Sequence, residues 1–216
     1  AWEARDKGNR ESNVMSTFKP RSVRALMFCA LAAASCGIHA QEALYEVSDD
    51  KVFVSEDEGG TWALLAVLPG PVRDHAQFLV DPADPNHLLV GTENWIWYSK
   101  DRGESWQQSA GTIEDDSDAA RNFISCLLAV ENGGETRFYA TGPLRDVYFS
   151  DDGETWTAFE NSFQYPVQLV APANAPETLY VVGDEGFVYR TEDAGASWEE
   201  IYSPGPPRWF NVHALA

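Results

Sequence analysis

Cysteine is scarce, with three in 216 residues, at positions 29, 36 and 126. Two of them fall in an N-terminal apolar run, and Cys126 stands alone in FISCLLAV, so the body of the chain has no internal disulfide and must be held by burial. No histidine lies near Cys126 in sequence, so it reads as a buried inert thiol rather than a nucleophile. Cys and His never pair at metal-ligand spacing, and neither a Gly-x-Ser-x-Gly elbow nor a Gly-rich phosphate loop is present. This excludes the motif-borne forms of zinc, acyl-transfer and nucleotide chemistry, and no cofactor is indicated. Positive charge is also scarce: 15 Lys and Arg stand against 34 Asp and Glu, a net of −19. Such a surface repels nucleic acid and anionic lipid, so neither is expected as a partner. Helical periodicity is missing throughout.

The longest apolar run, Ala25 to Ile38, is too short to span a membrane as a helix. It follows Met15 and a segment carrying Lys19, Arg21 and Arg24, the form of a secretory leader over 15–40. Cleavage is expected after Ala40, with Ala34 as a second candidate. Lipoprotein anchoring at Cys36 ranks below simple cleavage. Residues 1–14 precede the start methionine and read as upstream translation outside the fold. The mature part, from 41, keeps 9 basic and 31 acidic residues, a net of −22. The chain is therefore expected to be exported, to the periplasm or outside the cell, with no transmembrane segment after the leader.

What is present is a repeat. SEDEGGTW (55–62), SKDRGESW (99–106), SDDGETW (150–156) and TEDAGASW (191–198) end on tryptophans spaced 44, 50 and 42 apart. Periods of this length mark propellers or solenoids. A strand-like run precedes each copy, and its third residue is always aromatic: Phe53, Trp97, Tyr148 and Tyr189. Those aromatics share one strand face and Val52, Ile96, Val147 and Val188 the other, so both faces read as buried. One further apolar run lies upstream in every unit and a second in the last three, separated by turn-forming stretches such as DPADPN (81–86), and a fourth short strand fits after each tryptophan. Four antiparallel strands per unit, repeated radially, is an all-β propeller of about four blades.

The octet falls between the third and fourth strands. Its Ser/Thr and Asp side chains can bond nearby amides, its Gly supplies a turn conformation, and its Trp packs under the turn. The octet therefore reads as a stapled hairpin rather than a catalytic motif. It resembles the Asp-box, or BNR, repeat on Ser55, Asp57, Gly59 and Trp62; Ser99, Asp101, Gly103 and Trp106; Ser150, Asp152, Gly153 and Trp156; and Thr191, Asp193, Gly195 and Trp198. The third copy is one residue short, and Asp151 is the alternative to Asp152 there. Similar repeats occur in sialidases, xyloglucanases, sortilin-type receptors and photosystem II assembly factors. The resemblance implies that the boxes lie away from any active site.

The blades are expected at about 41–73, 74–122, 123–166 and 167–210. The first has no room for its own first strand, and 211–216 reads as a first strand with nothing after it. Either that strand closes a four-bladed ring or the chain is an arc of a larger one, and the second reading is preferred. The face opposite the boxes is the expected binding face. It is expected to carry Glu93, Asn94, Trp95, Arg145, Asp146, Asp184, Glu185 and Trp209, with Phe163 and Tyr165 in a blade connection and an insert at 108–122. Paired carboxylates there could act as acid and base on a glycosidic bond. The acidic cluster Glu114, Asp115, Asp116 and Asp118 lacks EF-hand spacing and reads as solvated. The arginine triad and early Phe-Arg-Ile-Pro-like segment of sialidases are not visible. The favoured function is a non-catalytic binding or assembly platform for a protein or glycan. The alternative is a glycoside hydrolase, xyloglucanase-like before sialidase-like.

Overall fold

The computed structural model describes residues 26–27, 43–48, 50–68, 77–92, 95–111, 123–142, 146–161, 163 and 165–204. These form strands and turns, with no helix among the described residues. Blade 1 comprises β1 (Leu26–Met27), β2 (Leu44–Ser48), β3 (Lys51–Ser55) and β4 (Ala63–Val67). Blade 2 comprises β5 (Gln77–Val80), β6 (Leu88–Gly91), β7 (Ile96–Ser99) and β8 (Gln107–Gln108), and the isolated β9 (Ala110–Gly111) follows it. In blade 3 the strands are β10 (Cys126–Asn132), β11 (Glu135–Thr141), β12 (Val147–Ser150) and β13 (Thr155–Ala158). Blade 4 has β14 (Pro166–Val170), β15 (Leu179–Gly183), β16 (Val188–Thr191) and β17 (Glu199–Tyr202). Each blade pairs its own strands in sequence order, antiparallel, as in a propeller. The inner strand β10 lies against both β5 and β14.

Two features differ from the sequence expectation. Blade 1 has a first strand: Leu26 and Met27, from the leader-like run, pair with Glu46 and Tyr45. Blade 3 carries a fifth strand, because β9 crosses from blade 2 and runs parallel to β13, with Ala110 opposite Thr155 and Gly111 opposite Trp156. Part of the 108–122 insert is thus an inter-blade strap. Gly111 is required there, since its φ is +111° and a Cβ would lie 1.9 Å from the Trp156 carbonyl oxygen.

The core lies between blades because each sheet buries both faces. Blades 1 and 2 enclose Val52, Val54 and Ala66 against Phe78, Val80 and Val90. Blades 2 and 3 enclose Leu89, Ile96 and Tyr98 against Leu127, Phe138 and Trp156. Blades 3 and 4 enclose Tyr139 and Val147 against Leu169, Val181 and Tyr189. The strand alternation settles which side goes where. Trp97, Tyr148 and Tyr189 turn toward the preceding blade, while Ile96 and Val147 turn toward the following one. Each fully buried aliphatic side chain contributes about 1.5–3 kcal/mol, which is how blades with no disulfide among the described residues hold together.

Candidate functional site

The box hairpins form one rim. In the first copy Ser55 Oγ donates to Asp57 Oδ1 at 2.9 Å and accepts from the Gly59 amide at 2.8 Å. Asp57 then accepts from the Thr61 amide at 2.7 Å and the Thr61 hydroxyl at 2.8 Å. The second copy repeats this through Ser99, Asp101, Gly103 and Ser105, and the fourth through Thr191, Asp193, Gly195 and Ser197. These donors favour the ionised carboxyl. The Ser105 hydroxyl and amide hold Asp101 down to about 2, and the hydroxyls of Ser197 and Thr191, with the Ser197 amide, hold Asp193 down to about 2. Asp57 is lowered by the Thr61 amide and hydroxyl. The carboxylates are committed to closing turns.

In the third copy it is Asp152 that accepts from Ser150, at 2.9 Å, while Asp151 pairs with Arg137 at 2.6 Å. Burial pushes the Asp152 carboxyl up, but the Thr155 and Glu154 amides and the Ser150 hydroxyl outweigh it and leave it low. The residue missing from this copy has a structural identity. Glu58, Arg102 and Ala194, just before the box glycine, have φ of 58°, 56° and 55°, and their glycines also have positive φ. The shortened copy omits that first left-handed residue and keeps only Gly153, at φ 71°. The left-handed residue has a role in the second and fourth copies: the Arg102 amide donates to the Asn86 carbonyl at 3.0 Å and the Ala194 amide to that of Glu177 at 2.8 Å. The box turn is thereby tied to the inner hairpin turn on the same rim.

The box is also a socket for its neighbour. A Cβ on Gly103 would lie 2.3 Å from Ala66 Cβ in blade 1, one on Gly153 2.7 Å from His87 Cε1 in blade 2, and one on Gly195 2.3 Å from Phe159 Cζ, beyond β13. Trp106, Trp156 and Trp198 join the same three seams. Beneath the third box Asp81 and His87 are buried together. His87 Nδ1 lies 3.0 Å from Asp81 Oδ2, and Asp81 Oδ1 accepts from the Ala83 amide and, across the seam, from the Thr136 hydroxyl, both at 2.9 Å. Nothing in the spacing of Asp81 and His87 signalled this network, because Thr136 arrives from another blade.

On the opposite face the expected residues take turn positions. Trp95 is half-buried, and its carbonyl accepts from the Thr92 amide at 2.8 Å and the Thr92 hydroxyl at 3.0 Å. Asp146 occupies the equivalent position in blade 3, where its carbonyl accepts from Gly142 and burial pushes its carboxyl up. Asp184 and Glu185 share the turn between β15 and β16, and the Asp184 amide donates to the Tyr165 carbonyl at 2.9 Å. Phe163, expected in a blade connection on the binding face, is 4% exposed and fills the seam between blades 3 and 4, edge-on to Tyr189 and Trp198. Glu93, Asn94, Arg145 and Trp209 lie outside the described residues, as does the acidic cluster 114–118. Among the described residues no group of three or more His, Cys, Asp or Glu could hold a metal ion. Among the described residues no helix is long and apolar enough to cross a membrane.

A cleft of about 630 Å³ opens between blades 3 and 4 on the box rim, not on the expected face. Val130 and Tyr139 line its depth, Glu135, Arg137 and Asp151 come from blade 3, and Glu177 comes from the inner turn of blade 4. Arg137 lies over the Phe149 ring, 5.3 Å from its centroid.

Four-stranded sheets seamed through Asp-box hairpins define an Asp-box β-propeller protein. Residues 71–204 match the family model described as Photosynthesis system II assembly factor YCF48. That is more than half of the chain, which therefore belongs to this family. The photosystem II stability/assembly factor HCF136 of Oryza sativa subsp. japonica is 30% identical over 138 residues, 63% of this chain and 32% of that protein. The xyloglucanase Xgh74A of Acetivibrio thermocellus is 24% identical over 218 residues, 78% of this chain and 26% of that enzyme. The crystal structure of the GH74 enzyme of Niastella koreensis shares the fold, with a TM-score of 0.57 at 20% identity, covering 74% of this chain and 22% of that one. The chain spans about a third or less of the length of the curated relatives it matches.

Proposed function

We propose that this chain is an exported, non-catalytic platform that binds a protein during assembly. The observation that carries this reading is the family match over 71–204, joined by a relative described as a stability and assembly factor. The box rim supports it chemically, because its carboxylates are committed to turns and their place is structural. Export rests on the leader-like segment 15–40. Cleavage after Ala40 would remove β1 and expose the inner edge of β2 to another strand. N-terminal sequencing of the exported protein should then begin at Gln41, and an intact N-terminus would contradict export by this route. The platform itself is tested by crosslinking in the native cells, identification of the joined protein, and titration of the two purified components. Saturable one-to-one binding is expected. Failure of every crosslinked candidate to bind in titration would overturn the reading.

One observation favours a second reading, a glycoside hydrolase. Burial raises the Asp146 carboxyl on the face opposite the boxes, as a general acid requires, and one relative is a xyloglucanase. Its partner carboxylate would come from Asp184 or Glu185. This reading requires sugar release that disappears in D146N.

A further inference from the structure

We propose that the outer edge of blade 1 takes an extended segment of a protein partner as a fifth strand, running parallel to β4. The segment carries Lys or Arg at its N-terminal end, then a small residue and Gly, then apolar side chains at alternate positions. The inference rests on the platform reading and specifies how the partner is held.

The fold already makes this pairing once. In blade 3 the strap β9 adds to the outer edge of β13, and the Ala110 amide donates to the Glu154 carbonyl at 2.8 Å. Gly111 lies opposite Trp156, where no Cβ fits, and Trp156 is 0% exposed. Blade 1 has the same receiving groups without a strap among the described residues. β4 is the last strand of its sheet, and Trp62 is only half-buried. Gly60 stands two residues before its box tryptophan, as Glu154 does, and its carbonyl accepts no hydrogen bond among the described residues.

β4 differs from the other outer edges. β8 has two residues, both glutamine, and β17 carries Glu199 and Glu200, charges of the kind that keep edges from pairing. β4 has five residues, ALLAV, with neither charge nor proline. Leu64 is 54% exposed and Val67 49%. They stand opposite Phe53 and Lys51, on the face turned from blade 2, because Val52 and Ala66 pack toward blade 2. Alternate side chains of an added strand would lie beside them. A parallel strand begins at the box turn, where Glu56 and Glu58 are exposed and make no ion pair among the described residues. A cation at the head of the segment meets both carboxylates. A second copy of this chain would bring another net −19 to the edge, so the occupant is a different protein.

The test uses the whole chain and a capped, fluorescein-labelled octapeptide, Lys-Lys-Ser-Ala-Gly-Val-Thr-Val. Fluorescence anisotropy should show saturable binding, and amide hydrogen exchange should slow at Ala63–Val67 when the peptide binds. The same peptide N-methylated at Ala and at the next Val, whose amides face β4, should bind about tenfold or more weaker. Glutamates in place of the lysines should weaken binding about fivefold at low salt, a gap that closes as salt rises and in E56Q/E58Q. L64K/V67K, which alters two exposed side chains, should lose about tenfold at an unchanged melting temperature. Equal binding of the N-methylated peptide, or binding without slowed exchange in β4, would overturn the assignment. A dimer of the chain that L64K/V67K dissolves would overturn it in favour of a second copy. If the crosslinked protein partner binds L64K/V67K as it binds wild type, the edge assignment fails and the platform stands. If the peptide binds here but no crosslinked protein does, the platform fails and the edge stands.

Discussion

Replacing Gly103 by alanine puts a methyl group where the preceding blade already stands. Residue 103 has φ +89°, and its Cβ would lie 2.3 Å from that of Ala66. The left-handed backbone costs an L residue about 1–2 kcal/mol, and an overpacked contact costs about 1–3 kcal/mol more. G103A should therefore lose roughly 2–5 kcal/mol, the sum of the two. Gly59 is the control within the same chain. Its φ is +87°, but the nearest atoms to its would-be Cβ are 3.8 Å away, on Leu44 and Trp62 of its own blade. G59A should lose the backbone component alone, about 1–2 kcal/mol. Urea unfolding of both variants measures the difference, which belongs to the seam. Adding A66G to G103A removes the close contact and leaves Ala66 Cα at 3.5 Å. The double-mutant cycle should show rescue, with a coupling of about 1 kcal/mol or more. Equal losses in G103A and G59A, or no rescue by A66G, would refute the claim that the boxes lock one blade to the next.

Three further outcomes follow from the same geometry. Asp101 and Asp193 titrate at about 2 in the folded chain against an ordinary 3.8, so their stabilisation is complete above pH of about 4 and is lost as pH falls toward 2. Urea midpoints measured between those values should drop, and D193N should remove its share of the drop; a slope unchanged in D193N would contradict this. D81A strips the acceptor from the Thr136 hydroxyl and the Ala83 amide and leaves His87 unsupported. It should lose roughly 2–5 kcal/mol in urea unfolding, and a loss within experimental error would show the network to be idle. Burial pushes the Cys126 thiol up to about 11, so iodoacetamide at pH 8 should label it slowly when folded and fast in urea; prompt labelling of the folded chain would contradict that.

Local patterns carried most of the architecture. Ser55 and Asp57 stand two apart and Gly59 two further, so one octet contains its whole hydrogen-bond set and is readable without a fold. Strand alternation was equally readable, and Trp97 and Ile96 do turn to opposite seams. The register at Gly153 was not readable, because a deletion can be placed on either side of Asp152 until the left-handed residue is seen to be the one omitted. The sockets were hidden for a different reason. Ala66, His87 and Phe159 fill neighbouring box glycines from three different places in their own blades, so no fixed spacing links knob to hole. The strap β9 pairs Ala110 with Thr155, 45 residues on and in parallel, which alternation alone does not reveal. The cleft unites Glu135 and Arg137 with Glu177 across a seam. The candidate face was reasoned from turn positions, where Asp and Asn stand for backbone reasons as often as chemical ones. Asp146 and Trp95 sit in such turns, and Phe163 is core.

The central functional claim is that this propeller binds without turning over. Its most direct test is oligosaccharide release from xyloglucan by the purified protein, followed over many hours beside D146N. The account predicts the same absence of product from both proteins. Sustained release by the wild type that vanishes in D146N would contradict the platform and establish a hydrolase.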